Sequence, residues 1–167
     1  MEKADYIKAL NLSPHAEGGW YRQVYHSDKT HYDLKAGDQR YEYTSIYFLL
    51  DGGSPSHLHR LRHDELWYFH AGSAIVIHCF FPDGTYQAVQ LGPAIAKGQQ
   101  MQFRVPAGTI FGSEVLEPKS FGLVSCVVAP GFDYHDFELF TQAQLLPQYP
   151  EQAAVIRRVS YEQVPEE

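Results

Sequence analysis

Three side chains in this sequence combine types and spacing that can do chemistry: His57, His59 and Glu65. On a strand, residues two apart project to the same face, so the two imidazoles point the same way. Glu65 comes six residues after His59, far enough to return on a neighbouring strand. Two imidazoles and a carboxylate on adjacent strands form a set that can hold a metal or move a proton. If His57 and His59 face inward, alternation turns Glu65, Trp67 and Phe69 inward too, and Tyr68 and His70 outward. An inward Glu65 among aromatics should hold its proton above the usual carboxylate range unless His59 or Arg60 pairs with it.

Other residues could complete such a site. Glu17 precedes Gly18-Gly19. Glycines there let the backbone approach a ligand with Glu17 aimed at it; an ordinary turn would leave it solvated. Tyr47 and Gln102 fall in predicted strands and could each offer a hydrogen bond, or fill ordinary core and surface positions. Cys79 and Cys126 lie in apolar runs and read as reduced core residues, Cys126 as a small core side chain rather than a nucleophile. His78 reads as a strand residue with a local partner. Asp133, Asp136 and Glu138 form an acidic cluster suited to a solvated face or a dimer contact.

The elements that must position these residues are mostly strands. The chain has 167 residues, enough for one well-buried domain. Its 44% hydrophobic content excludes a disordered chain, and 10 Pro, 13 Gly and 12 Tyr favour many strands and turns. A net charge of −7 without a basic block argues against a nucleic-acid partner. The charged first twenty residues and the lack of a long apolar run argue against a signal peptide and a membrane partner, and suggest a cytoplasmic protein.

Residues 2–10 predict a short helix ending before Pro14. Strands are predicted at 20–26, 42–50, 55–60, 64–71, 74–81, 85–91, 100–105, 110–115 and 121–129, with turns at Asp51-Gly52-Gly53, Pro82-Asp83-Gly84 and Pro130-Gly131. Residues 27–41 read as a loop with room for a ragged hairpin, and 137–146 and 151–159 as helical. Short strands at regular spacing with helices only at the ends predict one sandwich or barrel.

The stretch Gly52–Gly72 resembles the first motif of the cupin superfamily: a glycine, a His-x-His pair, a glutamate and a glycine seven residues later. The gap between His59 and Glu65 is longer than that motif's usual one. The second motif is matched by Gly98 and Pro106-Ala107-Gly108, but Phe111 stands where its histidine belongs. Phenylalanine cannot ligate a metal. More narrowly, PHAEGGWYR, TSIYFLL, HRLRHDELW, VPAGTIFG and CVVAPGFDYHDFEL resemble a small cupin family of predicted sugar epimerases. That resemblance implies a jelly-roll β-sandwich and a pocket in which His59 works without a metal.

The expectation is therefore an all-β, cupin-like single domain over 1–167: an N-terminal helix (1–14), a barrel (15–139) and a C-terminal helical segment (140–167). Its barrel would bind a small polar, sugar-like or nucleotide-sugar-like metabolite, with epimerase or isomerase chemistry open to it. His59 would be the base, Glu65 its orienting partner and Tyr47 an acid, with Glu17, His57, Arg60, Trp67, Gln102 and Phe111 on the substrate. No metal and no cofactor are expected. The alternatives are a metal-dependent cupin enzyme such as an oxygenase, using His57, His59 and Glu65, and a non-catalytic binding protein. A pocket base need not carry the fold, so truncating His59 is expected to cost under ~1 kcal/mol of stability. The aromatic surplus at Trp20, Tyr21, Tyr25, Tyr41 and Tyr43 predicts a homodimer seam.

Overall fold

The computed structural model describes residues 1–165. Helix α1 (Lys3–Leu10) is followed by strands β1 (Ser13–Pro14), β2 (Trp20–His26), β3 (Thr30–Asp33), β4 (Asp38–Tyr41), β5 (Thr44–Asp51), β6 (Ser56–Leu61) and β7 (Asp64–Gly72). Then come β8 (Ile75–Phe80), β9 (Tyr86–Leu91), β10 (Gln102–Val105), β11 (Ile110–Val115), β12 (Phe121–Ala129) and β13 (Phe137–Leu139), and the helices α2 (Gln142–Leu145) and α3 (Ala153–Val159).

Two antiparallel sheets make the body. One runs β1-β2-β5-β12-β7-β10, the other β13-β6-β11-β8-β9. The apolar run of β12 follows from its place between β5 and β7, which leaves little of it exposed. Between the sheets lie Phe48, Trp67, Ile77, Phe111 and Val124, all almost fully buried. On β7, Glu65, Trp67 and Phe69 are buried while His70 is exposed, as alternation requires.

The second sheet is covered on its outer face by the C-terminal helices. Leu58 and Phe80 pack there against Leu145, Ile156 and Val159. Arg158 of α3 donates to Glu114 of β11 at 2.8 Å, and His78 of β8 lies 2.9 Å from the same carboxylate. Burial alone would raise the Glu114 carboxyl; the hydrogen bonds from His78 and Arg158 outweigh it and hold it down at about 2.

Three segments differ from expectation. Phe137–Leu139, predicted helical, is a strand that pairs with Leu61, Arg60 and His59, because the outer edge of β6 needs backbone partners. Only Gln142–Leu145 of that stretch is helical. The segment 27–41 holds a regular four-residue-strand hairpin, β3–β4. Its turn is fixed by the Asp33 carboxylate, which accepts from the N–H groups of Lys35 and Ala36, and by Gly37 at φ 72°. In the acidic cluster, Asp136 is buried rather than solvated. It accepts from Arg40 Nε at 2.7 Å and Arg62 Nε at 3.0 Å, which ties the hairpin to the barrel. The segment expected to be helical at 140–167 contains α2 and α3, and its residues 166 and 167 lie outside the described residues.

Among the early aromatics, Trp20 packs with Leu12 and Leu49, while Tyr25, Tyr41 and Tyr43 are exposed. Among the described residues, no helix is long and apolar enough to cross a membrane.

Candidate functional site

A cavity of about 130 Å³ opens inside the barrel. Its polar wall comes from three places: the loop before β2, strand β6 and strand β7. Glu17, His59 and Glu65 face it together.

Backbone geometry fixes Glu17. Gly18 has φ 108°, and a Cβ there would fall 2.0 Å from the Pro55 carbonyl oxygen. Only glycine lets this loop lie so close to the start of β6. The Glu17 carbonyl then accepts from the His57 N–H and from His57 Nδ1, each at 2.7 Å. With its backbone pinned, Glu17 turns its carboxyl inward, where Ser56 Oγ donates to Oε1 at 2.8 Å.

His59 is held from both sides. Its Nδ1 lies 2.7 Å from the His57 carbonyl oxygen. A carbonyl only accepts, so Nδ1 carries the proton and Nε2 presents a lone pair. Nε2 faces Glu17 Oε2 at 3.3 Å. Two bare acceptors would repel there, so one proton belongs between them. Burial pulls His59 down to about 4 and pushes the Glu17 carboxyl up, with His15 and Ser56 opposing the rise. Both directions favour Glu17 over His59 as the holder of that proton. The ring itself packs 4.2 Å from Phe111 and 5.2 Å from Phe137.

Glu65 is the second acid. Burial, and then the nearby Glu17, raise it to about 8, against the hydrogen bonds from Trp67 and Cys126. Trp67 Nε1 donates to Glu65 Oε2 at 3.0 Å. Arg60, which could have neutralised Glu65, is turned outward to Glu138. Burial pushes the Cys126 thiol well up, so it is no nucleophile at neutral pH.

Of the residues singled out from sequence, Glu17, His59 and Glu65 meet in the cavity. Trp67 and Phe111 stand behind them, Trp67 on Glu65 and Phe111 on the His59 ring. Four do not reach it. His57 turns away and stacks on Tyr161, centroids 3.6 Å apart. Tyr47 packs on the outer face of β5 with Leu49 and Leu123, so its phenol cannot serve as an acid inside. Arg60 is half-exposed in its ion pair, and Gln102 is exposed opposite Tyr68 on the outermost strand. Sequence reading missed His15, Tyr21, Gln23, Thr44, Phe132 and Tyr134, which also line the cavity. Alternation along β2 was available for Tyr21 and Gln23; Phe132 and Tyr134 follow β12 in an irregular connection with no period to betray them.

The residues do not fit a cupin metal centre. His59 Nδ1 is bound to the His57 carbonyl and Nε2 faces the Glu17 carboxyl, His57 points elsewhere, and Phe111 covers the His59 ring. Among the described residues, no group of three or more His, Cys, Asp or Glu could hold a metal ion.

A family model described as Cupin superfamily (DUF985) matches residues 4–140. Protein SO0799 from Shewanella oneidensis is similar in structure, with a TM-score of 0.89 and 45% identity over 98% of this chain and 99% of that one. A hypothetical protein from Leishmania major superposes with a TM-score of 0.90 and 42% identity, covering 97% of this chain and 100% of that one. The uncharacterized protein YML079W of Saccharomyces cerevisiae is 27% identical over a 155-residue alignment that covers 78% of this chain and 71% of its own.

Proposed function

Since the chain belongs to the cupin superfamily, in the family Cupin_5 (DUF985), we propose that its barrel cavity binds a small polar, sugar-like metabolite and moves a proton on it. The observation that carries this reading is the buried Glu17–His59 pair facing the same cavity as Glu65, whose carboxyl burial pushes up to about 8.

The pair is a base as a unit. Passing the shared proton onto His59 Nε2 frees a Glu17 oxygen, which can take a proton from a carbon next to a carbonyl. The electron pair left behind moves onto the carbonyl oxygen. Glu65, still protonated at neutral pH, donates a hydrogen bond to that oxygen, as a carboxylic acid kept neutral by an apolar site can. Glu17 returning the proton to the neighbouring carbon gives an isomer; with one base on one face, an epimer forms when the enediol turns over in the cavity before the proton returns. His59 supplies the site where the relayed proton waits, which replaces the simpler picture of His59 acting alone. The exposed Tyr25, Tyr41 and Tyr43 support a second copy of the chain as partner.

Deuterium exchange tests the chemistry. Small hydroxy-aldehydes and ketoses incubated with the protein in heavy water should take up deuterium next to the carbonyl, read by proton NMR. Glu17→Gln should slow this by about a hundredfold or more. A compound that binds in the cavity yet exchanges no faster than in buffer would leave a ligand-binding protein without this activity.

A further inference from the structure

The charge around the cavity narrows the ligand. Among the described residues, no Lys or Arg lines it. The arginines near its wall in sequence are turned elsewhere: Arg22 donates to the Leu10 carbonyl at 3.2 Å, Arg60 pairs with Glu138, and Arg40 and Arg62 pair with Asp136. A phosphate or carboxylate entering would meet two carboxyl groups, His15, whose imidazole burial holds below its ordinary range, and apolar walls of Ile46, Phe48 and Val128, with no Lys or Arg to offset its lost hydration.

An ammonium group meets a different obstacle. The Glu17 carboxyl is engaged by His59 and Ser56, and Glu65 by Trp67 and Cys126. Seating a cation would mean expelling protons from groups that already have partners. What else the cavity offers is neutral: Gln23, the Thr44 hydroxyl, which accepts from the Phe132 N–H, and the phenols of Tyr21 and Tyr134, which hydrogen-bond each other. These donate and accept in the way that hydroxyl groups require.

Resting on the proton-transfer reading above, we propose that the part of the ligand inside the barrel is an uncharged hydroxy-carbonyl, a sugar or ketose bearing no phosphate, carboxylate or amine there. A phosphorylated or nucleotide-linked portion would have to stay outside the mouth.

Three ketones of one carbon skeleton test this: hydroxyacetone, hydroxyacetone phosphate and aminoacetone. Binding is read by saturation-transfer NMR at neutral pH, without turnover. Val128→Phe, and separately Ile46→Phe, fill the cavity and mark which signals come from it. Hydroxyacetone should bind at least tenfold tighter than either charged probe, and its signal should vanish in whichever filled variant folds. The proposal is overturned if the phosphate or the amine binds as tightly with a signal lost on filling. It is equally overturned if hydroxyacetone gives no signal that filling removes. Hydroxyacetone binding without deuterium exchange would sink proton transfer and leave this inference standing. Exchange into a phosphate ester held in the cavity would do the reverse.

Discussion

Replacing Glu65 with glutamine should stabilise the protein at neutral pH. The folded chain holds the Glu65 proton up to about 8, while an unfolded chain releases it near 4.5. Between those values the folded state binds more protons than the unfolded one, so stability falls as pH rises, by up to ~1.4 kcal/mol per unit. The Glu65 contribution is therefore fully favourable below 4.5 and lost by about 8. Glutamine does not titrate, and its carbonyl can still accept from Trp67 Nε1. Glu65→Gln should thus gain roughly 2–4 kcal/mol over wild type near neutral pH, and the two should converge in acid. Urea unfolding across that range checks it; parallel stability curves for the two proteins would refute the buried, protonated Glu65.

The second large effect concerns His59. Read from sequence, a pocket base should cost little stability when truncated. In the structure the ring is buried against Phe111 and Phe137 and caps the Glu17 carboxyl. His59→Ala should therefore destabilise by ~2–4 kcal/mol, from the void and from the unpartnered acid. His59→Gln refills much of that space and can still hydrogen-bond Glu17, but it cannot take a proton near neutral pH. It should keep a melting temperature near wild type and lose about a hundredfold or more in deuterium exchange. Full exchange in His59→Gln would remove the imidazole from the chemistry.

The barrel was legible because its strands alternate or run apolar between strong turns. Gln102–Val105 and Phe121–Ala129 were marked at their observed C-terminal ends by Pro-Ala-Gly and Pro-Gly. The inward register of Glu65, Trp67 and Phe69 followed from the pleat alone. What failed needed tertiary partners. Phe137–Leu139 has a helix-like spacing, yet the open edge of β6 decides its conformation. His57 obeys the two-residue rule in spacing, but the bulge where β11 passes from Phe111 to Ser113 against β6, and the Glu17 carbonyl beside it, turn its ring to Tyr161. Tyr47 was a plausible acid only while the inner face of β5 was unknown; Ile46 and Phe48 hold that face. The pairing of Glu17 with His59 spans 42 residues and rests on the close approach at Gly18, which no local pattern announces.

The proposed chemistry depends on where one proton lies. Nitrogen-15 NMR of histidine-labelled protein, titrated with pH, reads the His59 ring directly. The prediction is a neutral ring protonated on Nδ1, with Nε2 accepting a hydrogen bond, from neutral pH down to about 4. An imidazolium at neutral pH, or a titration centred near the ordinary 6.5, would contradict it and show that Glu17 is an ionised carboxylate rather than the acid half of the pair.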